Sequence, residues 1–123
     1  MSEITKEMPF GTIILREDSI AIIESPEGIN IDSNMAHAAI NLMESTFQDN
    51  YGFISNNVNP YSIDVEVYKI FSKSQRLACV ATISYGRATN DIYSSFEKLV
   101  IEKPNKLFHS LAEAIIWAKS FLE

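Results

Sequence analysis

Cysteine is nearly absent from the chain: Cys79 stands alone among 123 residues. A single thiol excludes an internal disulfide and any cysteine cluster for a metal. It lies within the apolar run Leu77-Ala78-Cys79-Val80-Ala81, where a thiol behaves as a small core hydrophobe. Glycine is scarce too. Gly11, Gly28, Gly52 and Gly86 stand apart, so there is no phosphate loop, no dinucleotide fingerprint and no Gly-x-Ser-x-Gly elbow. The two histidines, His37 and His109, are far apart, and neither shares a helix face with a second histidine. No apolar run reaches transmembrane length, and Met1 to Glu7 lacks the apolar stretch of a signal peptide. The expectation is a cytoplasmic protein with no membrane span.

Positive charge is in short supply. Ten Lys and Arg face sixteen Asp and Glu, a net charge of −6, and the acids are spread along the chain. Such a field repels phosphate backbones and offers no basic stripe, so no nucleic-acid partner is expected. Lys98, Lys103 and Lys106 alternate with Glu97 and Glu102 as a solvated helix end does. What remains is an ordinary globular composition, 46% apolar, at a length that buries a core without a staple.

Periodicity divides the chain into alternating elements. Residues 1–9 are polar and read as a loose segment; residues 10–123 read as one domain. Phe10 to Arg16 and Ile20 to Glu24 are strands joined by three polar residues, a connection only antiparallel neighbours allow. Asp32 or Ser33 caps a helix carrying Met35, Ala39, Leu42 and Met43 at helical spacing. Tyr51 to Ser55 is a short buried strand, followed by a polar loop from Asn56 to Pro60. Ser62 caps a second helix with Ile63, Val67, Ile70 and Phe71 on one face. Leu77 to Tyr85 is the longest strand signal and is apolar on both faces, as a central or doubly covered strand is. A third helix starts near Thr89 or Asn90 and ends at Pro104. Lys106 to His109 suffices for an edge strand, and Ser110-Leu111-Ala112-Glu113 is a capping box opening a last helix. The pattern predicts an α/β fold: a two-layer mixed sheet of about five strands, an antiparallel hairpin followed by alternating helix and strand, with four helices.

No carboxylate pair stands in an apolar setting suited to acid–base work. In a parallel sheet, ligands gather beyond the carboxyl ends of the strands. There the sequence places Asn56, Asn57, Asn59, Tyr61 and Ser62 after the third strand, and Tyr85 and Arg87 after the fourth. These side chains suit hydrogen bonding to a partner or ligand; they equally suit turns and caps.

The segments Tyr51 to Asp64, Leu77 to Tyr85 and Leu107 to Trp117, in this order of elements, resemble the STAS domain of SpoIIAA-like anti-sigma factor antagonists. The likeness spans about residues 10 to 122. It implies a non-enzymatic regulatory module with a protein partner and no cofactor. It also implies a phospho-acceptor at the start of the second helix, the place Ser62 occupies. The family's acceptor sits in an Asp-Ser-Ser/Thr-Gly setting, whereas this chain reads Asn59-Pro60-Tyr61-Ser62-Ile63-Asp64, so the chain is a divergent case. An alternative follows from the related CRAL-TRIO domains: a small-ligand or lipid pocket under the helices, open near Tyr85 and Arg87. A homodimer is open as well, through Ile13, Leu15, Ile20 and Ile22 on whichever hairpin face lacks helices.

Overall fold

The computed structural model describes residues 3–26, 28–57, 62–63, 65–84 and 102–122. In chain order these hold β1 (Ile4–Met8), β2 (Gly11–Leu15), β3 (Ile20–Glu24), β4 (Asn30–Ile31), α1 (Ser33–Thr46), β5 (Tyr51–Asn57), β6 (Ser62–Ile63), α2 (Val65–Lys73), β7 (Leu77–Ser84), β8 (Asn105–Phe108) and α3 (Leu111–Lys119). The main sheet has six strands in the order β1-β2-β3-β5-β7-β8, and β4 pairs with β6 apart from it. β2 runs antiparallel to both of its neighbours, β1 and β3; β3, β5, β7 and β8 are mutually parallel.

The β2–β3 hairpin closes as expected. Arg16 N–H donates to the Ile20 carbonyl at 2.9 Å and Ser19 N–H to the Arg16 carbonyl at 3.2 Å. Ser19 takes the left-handed conformation, φ 66°, which the tight turn requires. Gly11 opens β2 at φ 143°, where a Cβ would lie 2.3 Å from the Glu24 carbonyl oxygen. Only glycine lets these two backbones approach so closely.

Strand alternation builds two cores. On one face Ile13, Leu15, Ala21, Ile23, Phe53 and Val80 pack beneath α1 and α2. The apolar positions Ala36, Ala39, Ile40 and Met43 of α1 and Val67 and Phe71 of α2 cover them. On the other face Ile20, Ile22, Ile54, Cys79, Ala81 and Ile83 pack against Ala114 and Ala118 of α3. Gly52 makes that contact close: a Cβ there would be 3.1 Å from Cys79 Sγ and 3.4 Å from Ala118 Cβ. α1 starts at Asp32, whose carboxylate accepts from Met35 N–H at 3.0 Å. α3 starts at Ser110, whose hydroxyl oxygen accepts from Glu113 N–H at 3.4 Å.

Several expectations are corrected. Within the segment 1–9, Ile4–Met8 is not loose, since it pairs along its whole length with β2. Its side chains are mostly exposed, so pairing is the work of the backbone. The main sheet accordingly has six strands rather than five. The architecture is not two-layered, because α3 covers the face opposite α1 and α2. Ile13, Leu15, Ile20 and Ile22 are 0 to 3% exposed, so the hairpin offers no apolar dimer face. Ser62 lies in β6 and the helix begins at Val65, so Ser62 is not the cap. Asn56 belongs to β5 rather than to a loop. Lys106 lies in β8, the expected edge strand, over the Phe108 ring, and so not at the end of a helix with Lys98 and Lys103. Three helices occur among the described residues; the helix expected near Thr89 or Asn90 lies outside them, as do Lys98 and Glu97.

Candidate functional site

The parallel strands β3, β5, β7 and β8 end at one pole of the sheet, and polar residues collect there. Ser25 follows β3, Ser55 to Asn57 end β5, Ser84 ends β7, and His109 follows β8. Each apolar strand runs out at this pole, and small hydroxyl and amide residues take over where helices must be entered. Ser25, Ser55 and Asn56 are at most 9% exposed, so this polarity reaches inside the fold. The β5–β7 register sets Asn57 opposite Ser84. His109 Nδ1 lies 2.9 Å from the Ser84 carbonyl oxygen, tying the end of β8 to that of β7. With Nδ1 protonated toward that carbonyl, a neutral ring keeps its Nε2 lone pair for another donor.

The β4–β6 pair belongs to the same pole, because β4 follows β3 and β6 follows β5. Asn30 stands opposite Ser62, and Ile31 opposite Ile63. Ile31 is buried in the core beneath α1 and α2, so β6 is held on that side of the sheet, directly before α2.

Of the residues the sequence marks, Asn56 and Asn57 therefore lie at the end of β5 and Ser62 in β6. Asn56 is buried at 6% exposure, which takes it off the contact surface. Asn59, Tyr61, Tyr85 and Arg87 lie outside the described residues. Ser25, Asn30 and His109 were not marked for this pole. The strand end alone carries the signal for Ser25, whereas the β4–β6 pair is too short to show a strand period.

Beneath α1 and α2, near this pole, the described residues enclose a cavity of about 30 Å³. Phe10, Ile31, Met35, Phe53 and Phe71 line it, with the two serines Ser25 and Ser55. That is room for about one water molecule.

The opposite pole holds the shifted titrating groups. Arg16 donates to both Asp18 oxygens, at 3.0 and 2.9 Å, and the bidentate pair holds the Asp18 carboxyl below its usual range. Glu3 and Lys119 extend the cluster at 3.6 and 3.8 Å. These residues line an open recess of about 590 Å³ with Thr5 and Glu17. Nearby Arg76 donates to the carbonyls of Glu44, Phe47 and Asp49 and to Glu44 Oε1. The fully buried Tyr51 donates to Glu44 Oε2 at 2.6 Å. Burial, then the carboxylate, pushes the phenol well above its usual range. The first cluster spends its charges within itself, and Arg76 spends its own on Glu44 and the end of α1. Among the described residues no group of three or more His, Cys, Asp or Glu could hold a metal ion, and no helix is long and apolar enough to cross a membrane.

No family model and no curated protein matches the sequence. Among solved structures, the chain is similar to an uncharacterised protein of the DUF3478 family with a SpoIIAA-like fold from Shewanella loihica PV-4. The TM-score is 0.53 over 95% of this chain and 92% of that one, at 9% identity. At that identity the likeness is one of fold. The chain has a SpoIIAA-like α/β fold.

Proposed function

We propose that the protein is a non-enzymatic, STAS-like regulatory module that binds a protein partner at the carboxyl-end pole of its sheet. The observation that carries this reading is the SpoIIAA-like arrangement itself, matched over nearly the whole chain. Two features support the location. Ser62 lies in β6 immediately before α2, and His109 ties the end of β8 to the Ser84 carbonyl at the end of β7.

In this reading Ser62 is the regulatory position. Phosphorylation would add a charge of about −1.5 to −2 beside Asp64 and Glu66. The approach of an acidic partner surface would then be opposed, and that of a basic one favoured. The protein acts in the cytoplasm and needs no cofactor. The alternative, a small-ligand or lipid pocket open near Tyr85 and Arg87, falls on residues outside those described.

Affinity capture from the native host with three baits tests the proposal: the unaltered chain, Ser62→Asp and Tyr61→Ala. A partner retained by the unaltered bait and depleted at least tenfold by either variant is expected. The same partners in the same amounts on all three baits would remove this surface from the account.

A further inference from the structure

The last helix is more apolar than its one covered face requires. Ala114 and Ala118 are fully buried against the sheet, yet the outward side carries Ile116, 71% exposed. Trp117 stacks edge-on against Phe121 at 4.8 Å and tilted against Phe108 at 5.5 Å, so the shoulder of this face is a rigid aromatic wall.

The residues around Ile116 form a pattern centred on it. Ala112, Glu113, Ile116, Lys119 and Ser120 are all exposed. They fall at positions −4, −3, 0, +3 and +4, which is one stripe of a helix surface. When two copies of such a stripe meet antiparallel about a two-fold axis through Ile116, position +3 of one helix faces −3 of the other, and +4 faces −4. Lys119 then meets Glu113 of the second copy, twice by symmetry. Ala112 meets Ser120, twice, and these small side chains allow close approach. Ile116 meets its own copy at the centre. The antiparallel arrangement also sets the positive end of each helix dipole beside the negative end of the other. A self-complementary patch of this kind is what a two-fold interface requires.

We propose that the outer face of α3 is a homodimer interface, with a second copy of this chain as its occupant. The evidence is the charge complementarity about Ile116, and the proposal is independent of the partner-binding reading. A single helix pair buries little area, so the dimer is weak, with a dissociation constant of about 10–100 μM. It leaves β6 and α2 free, because Ile31 of β4, which pairs with β6, and Val67 of α2 pack on the opposite sheet face. The aspartate Asp18, 3.8 Å from Lys119 on the same chain, is an exposed-side competitor that the dimer contact must outbid only modestly.

Sedimentation velocity over a concentration series tests the proposal on the full chain, with circular dichroism of each variant checking that it is folded. The unaltered chain should move from monomer to dimer across the stated range, and Ile116→Asp should remain monomeric. Glu113→Lys leaves two lysines on the stripe and Lys119→Glu leaves two glutamates, so each alone should dimerise at least tenfold more weakly. Mixed one to one, the two variants restore both charge pairs and should form a heterodimer that high salt weakens. An unaltered chain that stays monomeric overturns the proposal and gives the face to a different chain. A dimer that survives Ile116→Asp, or two charge variants that fail to associate when mixed, overturns it equally.

Discussion

Cys79 lies between the sheet and α3, fully buried, with its Sγ 3.9 Å from the Ala118 carbonyl oxygen. Burial pushes its pKa up to about 12, because no positive group offsets the loss of water around a thiolate. An unfolded thiol titrates near about 8.5, so the native state keeps its proton at pH values where the unfolded chain has lost it. The stability tied to that proton is fully present below pH about 8.5 and is lost as the pH rises toward 12. At pH 9 a thiol reagent should therefore label the native chain far more slowly than the chain in denaturing urea. Equal labelling rates would mean that α3 does not close over this part of the sheet.

Arg76 shows how a single side chain joins elements. It lies just before β7 and reaches the last turn of α1, satisfying the carbonyls of Glu44 and Phe47, each at 2.7 Å. Carbonyls at a helix C-terminus have no partner within the helix, and a cation is the favoured cap there. The same guanidinium holds Glu44 in place for the Tyr51 hydroxyl. Arg76→Ala should cost about 1.5–3 kcal/mol of unfolding free energy, through several charge-assisted hydrogen bonds lost from a half-buried site. Urea denaturation measures it directly. Arg76→Lys should recover only part, since an ammonium cannot reproduce the planar fork.

At the scale of elements, the strands with long apolar runs were legible: β2, β3, β5 and β7 fall within two residues of where periodicity puts them. The caps at Asp32 and Ser110 were legible too, for their side chains do bond the first turn. β1 was not, because Ile-Thr-Lys-Glu-Met carries no apolar alternation and its pairing is written in the backbone. The β4–β6 pair, two residues on each side, is shorter than any period. Which face α3 covers was open for a different reason. The right-handed rule places a helix only when a parallel strand follows it, and no described strand follows α3.

At the scale of the whole molecule, two filled cores on opposite faces of one sheet leave function to the rims and the outer helix face. The apolar double face of β7, with Cys79, Ala81 and Ile83 on one side and Val80 on the other, was the sequence signal for this, and it was readable. At the polar pole Asn57 ends β5, whereas Ser62 opens β6 instead of capping a helix. The His109–Ser84 link was hidden because it joins residues 25 apart in sequence.

A partner docked at the carboxyl-end pole would cover β6 and the start of α2. Amide hydrogen exchange of the complex with the captured partner, set against the free chain, reads this out. Added protection is expected across residues 55–57 and 62–69, with the β1–β2 ribbon unchanged. Protection confined to β1, or to the α3 outer face, with none across those residues, would contradict it.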